Sequence, residues 1–442
     1  MVHEADVVRA ALAHYRKRPG LGFSDCLILE VARAAGHVPL GTFDRGPGKL
    51  PGALKLWPRR FGGSLARIMP EQTSVIILGA GPSGLAVAGC LREKGVPFVV
   101  VERAGAVGST WRNHYERLHL HTIKQFSALP GLPWPSTVPM YPSRAEVVAY
   151  LERYAAKFRI EPRFGLDVTS ARHDGARWVV RAGAEEIHAG ALVVATGYNR
   201  VPKQPTWPGQ STFRGEIIHS SAYKNGAAWK GKRALVVGIG NSGGEIAIDL
   251  WEHGAETAIS VRSPVHVVPR DLFGLPAQIN SLFMLGRLPP KIADRIANAL
   301  LGRVIGDLSR HGLHRPTLGP VSQVLETGRI PLIDVGTIEL VKQGRIRIFP
   351  GPRELTEDGV VFTDDREIKA DLIVLATGYR AALEGFLEDA ERHVDERGYP
   401  RRHGVEAGTP GLYFIGYRNP LTGALHDIAV EARRVAQALS RS

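Results

Sequence analysis

Cysteine is nearly absent from this chain: 442 residues hold two, Cys26 and Cys90. That excludes a disulfide framework and a cysteine-based metal cluster, and it suits a reducing compartment. Long hydrophobic runs are missing too, since no stretch reaches the roughly 18 uninterrupted apolar residues of a membrane-spanning helix. The opening Met-Val-His-Glu-Ala-Asp lacks the basic-then-apolar pattern of a secretory leader. A cytoplasmic protein with no transmembrane segment is expected. The net charge is +13, yet the basic residues are scattered and form no tail or continuous helix face. A nucleic-acid partner is therefore not expected. With 44% hydrophobic residues the chain is globular and long enough for two or three domains.

Glycine is abundant, and six of its occurrences write one motif twice: Gly79-Ala80-Gly81-Pro82-Ser83-Gly84 and Gly238-Ile239-Gly240-Asn241-Ser242-Gly243. Each copy follows an apolar run (Ser74 to Leu78; Ala234 to Val237) and opens a stretch with helical spacing, the context that gives GxGxxG its meaning. The first glycine allows a sharp reversal, the second lets backbone amides approach a pyrophosphate, and the third permits close packing of helix on strand. Two dinucleotide cofactors are implied. In the first unit the run Pro97 to Val101 ends in Glu102, placed to accept hydrogen bonds from ribose hydroxyls, as FAD or NAD requires. In the second the run Thr257 to Val261 ends in Arg262, which can pair with a 2′-phosphate that a carboxylate would repel. The second site therefore reads as NADPH. The basic balance of the chain fits polyanionic cofactors.

A second echo accompanies the first. Ala191 to Tyr198 and Asp371 to Tyr379 both end in Ala-Thr-Gly-Tyr, and each follows short alternating stretches around tight turns, Trp178 to Ile187 and Arg345 to Ile368. The order fingerprint, meander, ATGY occurs twice. This predicts an α/β protein with two Rossmann-like dinucleotide-binding domains, the second inserted in the first, plus a short α/β N-terminal fragment. The expected limits are 74–202 and 379–442 for the FAD domain and 203–378 for the NADPH domain, with a helical insertion at about 272–313. Within it, Ser281 to Leu285 and Ile296 to Ile305 read as core or substrate-channel helices. The proline-rich Arg200 to Gly209 is the crossover between domains. The chain then closes with Gly411 to Gly416 and an amphipathic helix from Leu425 to Leu439, where Gly416 either faces the flavin or is a plain turn glycine.

From about Ser74 onward the chain resembles flavin-containing monooxygenases. Their FxGxxxHxxxY/F fingerprint is complete as Phe213, Gly215, His219 and Tyr223. The resemblance implies a connector that lies near NADPH and keeps the two domains in register, with His219 a satisfied structural histidine or a proton carrier. Gly108-Ser109-Thr110-Trp111 is similar to the family's loop after the flavin-ribose acid, which implies Trp111 near FAD. Within the family the chain looks most like the YUCCA-type branch, on runs such as Tyr115 to His121, Lys124 to Phe126, His266 to Arg270, His311 to Pro316 and Pro331 to Gly336. His121 stands where many relatives of the wider family carry asparagine. The branch implies that NADPH reduces FAD, that the flavin forms a C4a-(hydro)peroxide with O2, and that one oxygen atom enters a small substrate. Oxidative decarboxylation of a 2-oxo acid such as indole-3-pyruvate is the implied outcome; a protonated peroxide would instead oxidise an amine or sulfide. No protein nucleophile or carboxylate pair is then required, and His121 and His219 are the only side chains put forward for proton transfer. His119 and His121 alternate along one face, but with no third ligand in view no metal is expected.

Two other classes share parts of this pattern. A disulfide reductase-like flavoprotein has the same two fingerprints but needs two nearby cysteines on the flavin side, whereas Cys26 and Cys90 are far apart. Residues 1–57, through Gly22 to Asp25, Ala34 to Pro39 and Thr42 to Arg45, resemble the last part of a PIN-domain ribonuclease, whose acids hold Mg²⁺. Only a C-terminal portion is present, so it reads as a remnant, followed by a linker at 58–73.

Overall fold

The computed structural model describes residues 10–13, 30, 40–42, 53–55, 71–279, 288–420 and 422–441. The chain divides into two compact units, Met1–Met69 and Pro70–Ser442. In the first, a helical turn at 10–13 and a parallel ladder of Leu40–Thr42 with Ala53–Lys55 are described. The PIN-like reading, Asp25 included, falls almost wholly outside the described residues, as do Cys26 and Ser281 to Leu285.

The second unit contains two large sheets. Val75, Ile76, Ile77 and Leu78 are all buried, the continuous apolar run expected of a central parallel strand covered on both faces. Their strand, Glu71–Leu78, starts four residues ahead of that run. Glu71 to Thr73, read as linker, pair instead with Ile187 to Ala189, because the partner strand Glu185–Val194 is ten residues long and offers ladder positions beyond the apolar segment. The sheet order is Arg163–Phe164, Phe98–Glu102, Glu71–Leu78, Glu185–Val194, Trp178–Ala182, Val168–His173. Leu412–Phe414 joins the far end of Glu185–Val194 in parallel.

The other sheet is wholly parallel, in the order Glu216–His219, Leu372–Leu375, Arg233–Val237, Glu256–Ser260, Ile346–Phe349. A three-stranded meander, Pro352–Leu355, Gly359–Phe362 and Glu367–Lys369, precedes the strand that ends in the second ATGY. Each fingerprint is thus followed by a helix, Pro82–Glu93 or Asn241–Glu252, packed on its own sheet.

The chain passes between the two sheets through two adjacent segments. Val201–Pro202 pairs antiparallel with Tyr379–Arg380, the Lys203 amide donates to the Gly378 carbonyl at 2.9 Å, and the Thr377 hydroxyl donates to the Lys203 carbonyl at 2.5 Å. The outgoing and returning strands therefore brace each other at the crossover. The described part of the insertion is a hairpin, Asp271–Leu272 with Leu275–Pro276, and a helix, Pro290–Ile305, started by consecutive prolines and ended at Gly306 with φ +78. No helix among the described residues is long and apolar enough to cross a membrane.

Candidate functional site

The two fingerprint turns have nearly the same geometry. Gly79 and Gly238 both sit at φ +108, a left-handed conformation that other L residues rarely adopt. A Cβ at either would lie 2.7 or 2.6 Å from the carbonyl oxygen of Ala195 or Ala376, the alanines of the two ATGY segments. Gly84 and Gly243 fail for another reason: a Cβ there would stand 1.8 or 2.0 Å from the carbonyl oxygen of Gly79 or Gly238. Gly81 and Gly240 have extended backbone at the helix N-caps with no capping side chain, and a Cβ at either would meet nothing within 4 Å. The first turn of each helix carries no acidic residue. Both N-termini thus present uncapped amides and positive dipole to open space, the arrangement that receives a pyrophosphate. The protein fits two dinucleotides by this test.

Glu102 is fixed across the first turn, one oxygen accepting from the Ala80 amide at 2.7 Å and the other from the Ala104 amide at 2.9 Å. Arg262 follows the second strand of the other unit and is exposed, its stem lying 3.4 Å from where a Cβ on Gly351 would be. Its guanidinium has no ion-pair partner among the described residues. Gly416 closes against the first fingerprint helix: with φ +77 its Cβ would stand 2.0 Å from the Ser83 hydroxyl. Its amide donates to buried Glu431 at 3.0 Å, and burial pushes that carboxyl up to about 6.

The connector motif ties the second sheet together. Phe213 covers Gly215, where a Cβ would come within 2.5 Å of the ring. His219 is buried, with both nitrogens engaged. Nε2–H donates to the Gly378 carbonyl at 3.1 Å, and Nδ1 accepts from the Ser221 amide at 3.1 Å. Its ring meets Tyr379 edge-on at 4.9 Å, and burial lowers its affinity for a proton. The histidine is thereby held as a neutral bridge to the second ATGY. Tyr223 donates to Asp249 at 2.6 Å.

Asp249 belongs to a set that sequence reasoning missed. On the helix Asn241–Glu252, Glu245, Asp249 and Glu252 follow the i, i+4, i+7 spacing of one helix face. The Tyr115 to His121 segment, a loop that follows the short helix Ser109–Asn113, grips that face. His121 Nε2–H donates to Glu245 at 2.5 Å, the Tyr115 hydroxyl reaches the same oxygen at 3.4 Å, and Arg117 pairs with Glu252 at 2.7 Å. Glu245 and Asp249 are buried, and a buried carboxylate needs such partners. The available signal was acidic residues at helical spacing in an otherwise apolar segment. With Nε2 committed, His121 keeps Nδ1 as an acceptor that has no protein partner among the described residues. His119 turns elsewhere, donating from Nδ1 to the Arg117 carbonyl at 2.7 Å, so the two histidines serve different partners. Among the described residues no set of three His, Cys, Asp or Glu is gathered for a metal ion.

One cavity of about 1100 Å³ joins these features. Gly79, Gly81, Glu102, Trp111, His121, Ser242 and Gly416 border it, whereas Gly238, Gly240, Arg262 and the connector residues Phe213, Gly215, His219 and Tyr223 do not. Beyond the turns it continues between apolar walls that include Leu272, Leu300, Val321 and Ile333. Cys90 lies elsewhere, buried in the first fingerprint helix with its thiol pushed up to about 11, chiefly by burial. A thiol held in that state is a poor nucleophile.

The family model that matches, over residues 76–270, is described as pyridine nucleotide-disulphide oxidoreductase. The chain is 43% identical over 348 residues to indole-3-pyruvate monooxygenase YUCCA1 of Oryza sativa subsp. japonica, an alignment covering 77% of this chain and 86% of that protein. Among solved structures it is similar to cyclohexanone monooxygenase from Rhodococcus sp. Phi1 bound to NADP+, with TM-score 0.65, 23% identity, and coverage of 84% and 85% of the two chains. It is also similar to a bacillithiol disulfide reductase from Bacillus cereus, with TM-score 0.62, 19% identity, and coverage of 84% and 99%. Both structural likenesses speak for the fold: two dinucleotide-binding domains with parallel sheets.

Proposed function

The chain belongs to the family of the YUCCA indole-3-pyruvate monooxygenases, and from that premise we propose that this FAD- and NADPH-dependent flavin monooxygenase acts on an aryl 2-oxo acid, indole-3-pyruvate foremost. The net reaction is oxidative decarboxylation: indole-3-pyruvate, O2, NADPH and a proton give indole-3-acetate, CO2, water and NADP+. One observation carries the reading. The first glycine turn and the opening residues of the second fingerprint helix, Asn241 and Ser242, face one cavity of about 1100 Å³ that runs on between apolar walls.

When bound, FAD supplies the oxygen-activating chemistry and NADPH the hydride. The chain's own residues do the rest. Amides around Gly81 and Gly240 receive the two pyrophosphates, with Gly79, Gly84, Gly238 and Gly243 shaping the turns. Glu102 would take the flavin-side ribose, Arg262 the 2′-phosphate, and Trp111 and Gly416 would lie beside the flavin. Phe213, Gly215, His219 and Tyr223 hold the NADPH domain in register without touching substrate. The apolar walls exclude water from the reacting centre. His121 offers Nδ1 as a proton acceptor in the cavity, its ring fixed by Glu245. The scarcity of cysteine and the inert Cys90 fit a reducing cytoplasm, and the partners are a small molecule and O2, not nucleic acid.

The test is aerobic NADPH oxidation by the FAD-loaded protein with indole-3-pyruvate, phenylpyruvate and a tertiary amine in parallel, with CO2 and the shortened acid quantified. Stoichiometric acid and CO2 from the keto acids are expected. Turnover of the amine with neither keto acid used would assign nitrogen or sulfur oxygenation instead. NADPH consumption indifferent to all three would leave an oxidase.

A further inference from the structure

We propose that Arg270 is the residue that selects for a carboxylate on the substrate, an inference that rests on the 2-oxo acid reading above. Among the described residues four cations border the cavity: Arg103, Arg200, Lys224 and Arg270. Arg200 is spent on the Ala382 carbonyl at 2.7 Å and on the face of Phe386, and Lys224 on the Asn113 carbonyl. Arg103 adjoins Glu102 on the dinucleotide side. Of these four, Arg270 stands where the apolar walls begin, immediately before the hairpin Asp271–Leu272 and Leu275–Pro276.

Its surroundings hold the guanidinium in one plane and leave one edge open. The backbone is anchored on both sides, the Arg270 amide donating to the Asp334 carbonyl at 3.1 Å and the Arg270 carbonyl accepting from Ala277 at 2.9 Å. The guanidinium carbon lies 4.1 Å above the centre of the Tyr141 ring. Its Nε–H donates to Asp271 at 3.3 Å, and Asp271 is itself held by the Tyr141 hydroxyl. Tyr141 comes from the loop before the helix Arg144–Lys157 and Asp271 from the hairpin 130 positions later, so the clamp joins segments distant in the chain. The two terminal nitrogens have no hydrogen-bond partner among the described residues. Two parallel N–H donors on a pre-oriented plane are the complement of a carboxylate. With Leu272, Leu300, Val321 and Ile333 bordering the same space, the site matches a molecule carrying a carboxylate at one end and an apolar ring at the other.

The experiment measures dissociation constants by calorimetry on FAD-loaded protein with NADP+ present, where no turnover occurs, for phenylpyruvate and for its neutral counterpart phenylacetone. Arg270→Met is expected to weaken phenylpyruvate roughly 10- to 100-fold, as loss of charged hydrogen bonds predicts, and phenylacetone by less than about threefold. Arg270→Lys, which keeps stem and charge but not the fork, is expected to regain only part of the acid affinity. Equal weakening of both ligands, unchanged affinity for the acid, or full recovery with lysine would each overturn the assignment. Failure of the functional reading looks different: wild-type enzyme would then turn over an amine or sulfide and no keto acid. If wild-type enzyme decarboxylates phenylpyruvate while Arg270→Met binds it normally, the function stands and only this inference falls.

Discussion

Gly81→Ala and Gly240→Ala separate the two cofactor sites by geometry alone. Both residues have extended backbone, φ −82 and ψ −174 for Gly81 and φ −69 and ψ −179 for Gly240, which alanine adopts freely. Neither added methyl would touch protein within 4 Å. At a helix N-cap alanine is worse than glycine by about 0.5 to 1 kcal/mol, while the loss of unfolded-state freedom returns about 0.4 to 1 kcal/mol. The net change in stability of the cofactor-free protein should be near zero, so its thermal midpoint should stay within about 2 °C, well under the 2–4 °C per kcal/mol expected for a large domain. Binding should respond quite differently, because the methyl occupies the space through which a pyrophosphate approaches the amides. Loss of one or two charge-assisted hydrogen bonds, about 1.5 to 3 kcal/mol each, weakens a cofactor by at least roughly tenfold. Gly81→Ala should therefore lose the flavin absorbance near 450 nm. Gly240→Ala should stay yellow but need far more NADPH to reduce the flavin anaerobically. The partner substitutions Gly84→Ala and Gly243→Ala, which drive a methyl to 1.8 and 2.0 Å from a backbone oxygen, should damage the turn and lower stability as well. Retention of NADPH affinity within about threefold by Gly240→Ala, or loss of both cofactors in either variant, would refute the reasoning.

Arg262→Ala should remove about 1.5 to 3 kcal/mol of interaction with the 2′-phosphate, so kcat/KM for NADPH should drop by roughly tenfold or more while that for NADH barely changes; equal losses would reject the assignment. His121→Ala removes the 2.5 Å donor from buried Glu245 and leaves it the 3.4 Å Tyr115 hydroxyl, at a cost of about 1 to 3 kcal/mol. Combining it with Glu245→Gln should recover much of that loss in chemical denaturation, and strictly additive effects would argue against the contact. Glu431 is protonated more readily in the folded protein, near pH 6, than when unfolded, near 4.5. The folded state then holds more protons between those values, and stability falls as the pH rises through that window. Glu431→Gln, which can still accept from Gly416, should be more stable than wild type by roughly 2 kcal/mol at about pH 8, a gain that vanishes below about pH 4.5. A gain independent of pH would mean that burial of the charge is not its source.

Much of the architecture was legible because it depends on short-range rules. Positive φ at the first glycine, room at the second and backbone contact at the third follow from spacing within a six-residue turn. The duplicated order of turn, meander and ATGY announced two Rossmann-like domains because periodicity and turn residues act locally. Boundaries were less legible: strand Glu71–Leu78 outruns its apolar core because its length is set by the ladder that Glu185–Val194 offers, which no local pattern encodes. The same holds for His219, whose Nε2–H is directed at a carbonyl 159 positions away and whose affinity for a proton is lowered by burial.

The amino-acid order by itself therefore determined the class of the molecule: two nucleotide turns, the acid and the arginine that follow them, and membership in a flavin monooxygenase family. Only tertiary structure decided which groups meet. Glu245 stands 124 positions from His121 and Tyr141 stands 130 from Asp271, and nothing in the composition of either segment names its partner. Local sterics are written residue by residue, whereas a buried carboxylate or a clamped guanidinium finds its complement only where segments more than a hundred positions apart pack together.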